Sequence, residues 1–259
     1  MTLTELLLIT FLAALATDLA TGLGVIPFFF LGSITDRFSG ILTATAAGMM
    51  TAASLVLLVG EGLERTQGLG VWEVGAGLLA GAIFFAIATR WVHQHEDFDI
   101  AGLRESGGTT ALLIVAAMTI HSLPEGVAVG VSFGSAHGDG TLNFGWVMAL
   151  AIAIHNIPEG TAIAIALRAR GISVWKCVGW AIFSSLPQPI AAVPAAWLVW
   201  LFEPLLPAGM GFAAGAMMYL VLADLIPEAR KQAGPTRMVL GFFVGLVLMI
   251  VLARLVHIS

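Results

Sequence analysis

The sequence predicts an all-α integral membrane protein, with eight transmembrane helices in a 3+2+3 inverted-repeat bundle. Three observations carry that prediction. The 259-residue chain is 59% hydrophobic and 10% charged, whereas a soluble domain carries roughly 25% charged residues. Apolar runs of about 20 residues, the length that crosses a bilayer, recur between clusters of charge, glycine and turn residues. The basic residues also fall almost wholly on alternate breaks between those runs. This composition excludes a water-soluble globular enzyme and leaves one transmembrane domain spanning 1–259.

The spans are predicted at 5–31, 41–60, 71–92, 109–134, 144–168, 173–200, 207–228 and 236–257. The first carries Glu5, lacks a basic flank and is too long for the apolar stretch of a signal peptide. Arg37 follows it, and Arg90 and Arg104 flank the loop after the third span. Arg168, Arg170 and Lys176 follow the fifth, and Arg230, Lys231 and Arg237 follow the seventh. Of the 11 basic residues, only Arg65 and Arg254 fall on the opposite side. The positive-inside rule makes the basic side cytoplasmic and both termini extracytoplasmic. The cell (inner) membrane is the expected location. The single Cys177 excludes an internal disulfide and a multi-thiolate metal site.

The second and seventh spans resemble each other. Ala46-Ala47-Gly48-Met49-Met50 aligns without gaps on Ala213-Ala214-Gly215-Ala216-Met217, and Leu55, Leu58 and Glu61 continue onto Leu222, Leu225 and Glu228. These spans cross in opposite directions, as do the fourth and fifth. The pattern suggests inverted units of three spans flanking a central pair, an arrangement used around midplane sites. Small residues and leucine are common in any membrane helix, so the outer match also has a compositional reading.

The central pair carries the chemistry. His121-Ser122-Leu123-Pro124-Glu125-Gly126 lies mid-span in the fourth helix and His155-Asn156-Ile157-Pro158-Glu159-Gly160 mid-span in the fifth. An ionisable side chain at that depth costs at least about 2.5–3.5 kcal/mol. Positions i and i+4 share a helix face, so His121 projects with Glu125 and His155 with Glu159. Imidazole and carboxylate are ligands for a borderline divalent ion such as zinc, and two pairs on antiparallel neighbours supply four donors. The alternative is two His–Glu ion pairs kept for packing or proton transfer. Burying two such pairs is expensive, which favours metal. Pro124 and Pro158 withhold N–H groups from the carbonyls of Ile120 and Ile154, and predict kinks that line a hydrated path.

Elsewhere the signal is thinner. Met50 by itself reads as core filler. Asp18 in the first span and Asp224 in the seventh are intramembrane carboxylates, by default path or relay groups; pairing with a helix hydroxyl such as Thr17 or Thr21 is the alternative. Glu61 and Glu228 sit at span ends, where solvation is cheap. The 93–99 loop, with His93, His95, Glu96, Asp97 and Asp99, reads as a solvated segment able to hold metal only loosely, and His137 and Asp139 as an external turn. Ser184-Ser185-Leu186-Pro187-Gln188-Pro189 and Pro194 predict a broken sixth helix, with Gln188 facing whatever the break exposes.

Across essentially its whole length the chain resembles the ZIP (Zrt/Irt-like) family of divalent metal transporters. The resemblance rests on His-Ser-x-Pro-Glu-Gly-x-Ala-x-Gly at 121–130 and His-Asn-Ile-Pro-Glu-Gly at 155–160. It implies a 3+2+3 bundle and an elevator-like movement of spans one, four, five and six. It also implies that His121, Glu125, His155 and Glu159 are ligands of the main transport site, with Met50 as a thioether ligand. Positions that hold a second metal in many relatives read here Ser122, Asn156 and Gln188. All three are neutral, so one transport site is expected, with Ser122, Asn156, Gln188, Asp18, Asp224 and Glu228 as a weak second site or path.

The function this implies is movement of Zn²⁺, with Fe²⁺, Mn²⁺ or Cd²⁺ as alternatives, into the cytoplasm by alternating access. The metal ion is substrate and no cofactor is expected. The partners are the ion and the lipid bilayer, without nucleic acid, and a homodimer is an open alternative. The rival from another class is an intramembrane metal-dependent hydrolase using the same His/Glu cluster. Such an enzyme needs an open coordination position and a separate general base.

Overall fold

The computed structural model describes residues 1–30, 35–66, 71–94, 103–135 and 143–257. Every regular element among them is helical. Helix α1 (Leu3–Leu23) starts at Thr2, whose hydroxyl accepts from the Glu5 backbone while Glu5 accepts from Thr2, a capping box. Helix α2 (Asp36–Ala52) is capped by Thr35 and continues through a π-helical stretch, Ala53–Val59, into α3 (Gly60–Glu64). Then follow α4 (Val71–Gln94), α5 (Leu103–Gly134), α6 (Asn143–Arg168), α7 (Val174–Ser185) and α8 (Pro187–Leu201). Helix α9 (Leu206–Leu220) passes through a second π-helical stretch, Val221–Leu225, into α10 (Ile226–Ala233), and α11 (Pro235–His257) closes the chain.

Seven segments among the described residues are long and apolar enough to cross a membrane: Leu3–Phe29, Asp36–Glu64, Val71–Arg90, Phe144–Arg168, Val174–Leu201, Glu203–Ala233 and Pro235–Leu255. The 32-residue α5 carries the first His-x-x-Pro-Glu motif. The described part of each predicted span is helical except after Leu23, where α1 ends short of the predicted bound, and at Leu186; elsewhere the bounds differ where polar ends extend the helix. The second segment begins at Asp36 and the helix of the seventh runs on to Ala233, since capped polar turns continue a helix beyond its apolar stretch. Helices α5 and α6 run continuously through Pro124 and Pro158. The sixth span is broken at Leu186 alone. Pro189 sits in the first turn of α8, where no N–H is needed, and Pro194 lies inside that helix.

Glycine sets how closely the helices approach. A Cβ on Gly241 or Gly245 of α11 would press on the backbone of Ile41 or Thr45 in α2, and one on Gly77 or Gly81 of α4 would collide with that of Ala208 or Phe212 in α9. Under the register that places Ala46 on Ala213, Ile41 corresponds to Ala208 and Thr45 to Phe212. The two helix pairs therefore use matching positions. The π-helical stretches obey the same register, since 53–59 maps onto 220–226 and the second occupies Val221–Leu225. The centre repeats the theme. Gly126 of α5 abuts the Gln188 backbone of α8, and Gly160 of α6 abuts the Thr21 backbone of α1. Small residues at such crossings let backbones approach, the usual basis of helix association in membranes. Gly130 and Gly134 extend the α5–α8 contact against Ala192 and Val199.

Candidate metal centre

The close approaches at Gly126 and Gly160 converge α1, α5, α6 and α8 on a buried polar centre. Glu125, His155 and Glu159 each offer a ligand atom there, all within 4.8 Å of one another, and all three residues are buried. His155 Nε2 lies 3.0 Å from Glu125 Oε1. Oε2 of Glu159 is buried without a hydrogen-bond partner, an acceptor left open. Zinc–nitrogen and zinc–oxygen bonds of about 2.0–2.2 Å separate tetrahedral donors by roughly 3.4 Å. A small contraction of the cluster could therefore bring one ion within bonding distance of all three. Two carboxylates and one imidazole suit a divalent transition metal in charge and donor type.

His121 takes a different place from the other three motif residues. It is 3% exposed and one turn from Glu125, yet its Nε2 faces the partly exposed Asp224 of the second π-helical stretch, 3.7 Å from Oδ2. The predicted fourfold convergence thus divides into a cluster of three and a neighbouring His121–Asp224 pair. Met50 is buried in the apolar core beside the centre, a core that also holds Ile152, Ala151 and Met217.

Two of the three neutral positions, Gln188 and Asn156, join Thr17 in a hydrogen-bonded chain. Gln188 Nε2 donates to Glu125 Oε2 at 2.5 Å, and its Oε1 accepts from Thr17 Oγ1 at 2.5 Å and from Asn156 Nδ2 at 3.2 Å. Asn156 Nδ2 also donates to the Thr17 carbonyl at 2.8 Å. Ser122 instead turns to its own helix, donating to the Met118 carbonyl at 3.1 Å. The Gln188 amide therefore fixes one face of Glu125 while His155 meets the other. Sequence reasoning named Gln188, and Thr17 only as a partner for Asp18; the bond of Thr17 to Gln188 depends on α1 crossing α8 at that level.

The remaining candidates fall outside the cluster. Asp18 is fully buried on α1, and neither hydroxyl suggested as its partner serves it: Thr17 donates to the Ala14 carbonyl as well as to Gln188, and Thr21 pairs with Ser185. Glu228 is exposed and bonded within α10, to Gln232 at 2.6 Å and Lys231 at 3.9 Å. Glu61 holds Arg65 at 2.6 Å. The 93–99 segment beyond Gln94, and His137 and Asp139, lie outside the described residues.

Residues 93–253 match the ZIP zinc transporter family. Among curated relatives, the zinc transporter GufA of Myxococcus xanthus is 33% identical over 250 residues, 93% of this chain and 96% of its own. An Arabidopsis thaliana protein, provisionally named a zinc transporter, is 40% identical over 226 residues, 87% of this chain. Zinc transporter ZIP11 of Homo sapiens is 45% identical over 133 residues, 49% of this chain. The chain spans only 35% and 39% of the lengths of these last two.

Proposed function

The chain belongs to the ZIP family of zinc transporters, and from that premise we propose that it carries Zn²⁺ into the cytoplasm by alternating access through the cluster at the α5–α6 crossing. Fe²⁺, Mn²⁺ and Cd²⁺ are the other candidate ions, since the same donors accept them. The observation that carries the reading is the buried grouping of Glu125, His155 and Glu159. Two carboxylates and an imidazole have no need of one another's company in a bilayer unless a cation joins them. His121 and Met50 complete the ligand set, with His121 swinging from Asp224 when metal arrives.

Eight spans in a 3+2+3 inverted-repeat bundle make up this single domain over 1–259, with α5 as the span between α4 and α6. Support comes from the shared register of the α2–α11 and α9–α4 contacts. The termini lie outside the cytoplasm, in the cell (inner) membrane, by the positive-inside rule. Lipid covers the exposed apolar residues of α4 and α11, such as Leu79, Ile83, Phe243 and Val247.

One metal occupies the site at a time. Gln188 fills with an amide donor the place where a second cation would need an acceptor, and Ser122 is turned to its own helix. Release follows protonation of the ligands, because metal and proton compete for them. Asp224, beside His121 and 34% exposed, receives the departing ion, and Glu228 extends that path to the surface. The chain is not an enzyme: the family's named members are transporters, and the hydrolase reading has no comparable support.

Radioactive zinc uptake into proteoliposomes tests the reading, with wild type set against a His155→Ala, Glu159→Ala double variant. Saturable uptake in wild type and none in the variant is the expected result. Equal uptake by both would place the transport site elsewhere.

A further inference from the structure

We propose that Asp18 is the anionic ligand of a monovalent-cation site, for H⁺ or Na⁺, at the break between α7 and α8 and separate from the metal cluster. Asp18 is 0% exposed, and neither of its carboxylate oxygens has a hydrogen-bond partner. Among the described residues no Lys, Arg or His nitrogen lies within ion-pair distance of it. A buried carboxylate in such surroundings persists only when a proton or cation neutralises it.

Two bonds fix its level. Thr21 Oγ1 meets Ser185 Oγ at 2.8 Å, and Thr17 Oγ1 meets Gln188 Oε1 at 2.5 Å, so α1 runs antiparallel to α7 and α8 with Asp18 between the two contacts. Gly22, four residues on and in the same column of α1, abuts α7, where an added Cβ would sit 2.9 Å from Ile182 Cγ1. One turn beyond Ile182 comes Ser185–Leu186, where the helix breaks. Asp18 thus lies on the face of α1 that packs on α7, level with the break.

The break supplies oxygen donors. Pro187 and Pro189 offer no N–H to the carbonyls of Phe183 and Ser185. The Phe183 carbonyl accepts from Leu186 N at 3.3 Å, while that of Ser185 loses its i+4 donor. Carboxylate, carbonyl and hydroxyl are hard ligands, and the C-terminal end of a half-helix adds partial negative charge. Broken helices in transporters hold Na⁺ or H⁺ with such groups. The metal cluster differs in its imidazole, which suits later transition ions.

Among the described side chains, the titratable groups on elements packed against α1 are Glu125 and His121 on α5, His155, Glu159 and Arg168 on α6, and Lys176 and Cys177 on α7, with none on α8. One step connects the two sites: Thr17, next to Asp18, bonds the Gln188 amide that holds Glu125. Occupancy at Asp18 therefore bears on the metal cluster through that side chain. The site itself stands on the α1–α7 geometry, and only this coupling rests on the transport reading.

Infrared difference spectroscopy of the purified full-length chain, wild type against Asp18→Asn, tests the site in pH and NaCl titrations. A protonated-carboxyl band present in wild type and missing from the variant is expected. Loss of the band only at raised pH identifies H⁺, and loss on adding NaCl but not choline chloride identifies Na⁺. Identical spectra in both titrations overturn the site. Should Asp18→Asn fail to assemble, Ser185→Ala keeps the carboxyl and must shift the midpoint of the same band; an unshifted midpoint also overturns it. In proteoliposomes, Asp18→Asn is expected to lose the stimulation of zinc uptake by a pH or Na⁺ gradient that wild type shows. Undiminished stimulation overturns the coupling, whereas no wild-type zinc uptake counts against the transport reading and leaves the infrared result standing.

Discussion

Gln188 Nε2 lies 2.5 Å from Glu125 Oε2, across the glycine-lined crossing of α8 and α5. The amide holds the carboxylate from the side opposite His155, so Glu125 meets an arriving ion already oriented. Hydrogen bonds to charged groups contribute about 1.5–3 kcal/mol. Gln188→Ala should therefore weaken zinc binding by roughly 10–100-fold, measured by isothermal titration or as a raised KM for uptake. Gln188→Glu replaces the donor with a second carboxylate. Its metal-free form should melt lower than wild type, and zinc should raise its melting temperature more than it raises that of wild type.

The separation of His121 from the cluster predicts unequal roles for two residues that the repeated motif makes equivalent. His155→Ala removes a cluster member and should lower zinc affinity by more than the roughly 10–100-fold typical of an outer-shell loss. His121→Ala should cost less at equilibrium. Equal losses in equilibrium dialysis would mean that His121 leaves Asp224 for the metal at no cost.

Glycine at the helix crossings predicts where the fold resists change. Gly245→Ala puts a methyl group into the Thr45 backbone, whereas Gly75 has no neighbour within 4 Å of an added Cβ. Overpacking costs typically 1–3 kcal/mol, so Gly245→Ala should lower the melting temperature in detergent and Gly75→Ala should leave it nearly unchanged. Size-exclusion traces after heating distinguish the two.

The direction of the chain is open to a labelling test. Cys177 is the only native thiol and is buried, so background labelling is low. A membrane-impermeant maleimide applied to intact cells should modify Thr2→Cys and spare Lys231→Cys, with both labelled after permeabilisation. The reverse pattern would invert the topology.

The all-helical membrane class was legible because hydropathy and helix periodicity are local properties of the chain. The seven apolar spans among the described residues and the break near Pro187 follow from what a bilayer and the missing proline N–H demand of consecutive residues. The α2–α9 register was legible as well, although on sequence alone it could not be told apart from ordinary membrane-helix composition. Its meaning became concrete when Ile41 and Ala208, and Thr45 and Phe212, turned out to receive matching glycines from α11 and α4.

The sequence by itself determined the membrane class, the family motifs and which side chains had to be polar at depth. Only the tertiary structure decided which of those side chains meet. It joined Gln188 to Glu125, turned His121 toward Asp224, kept Asp18 apart from its neighbouring hydroxyls, and placed Thr17 in the chain of bonds. The physical reason is that these contacts depend on the azimuth and depth at which separate helices cross. Those are set by the summed packing of small residues along each interface, which no single span encodes.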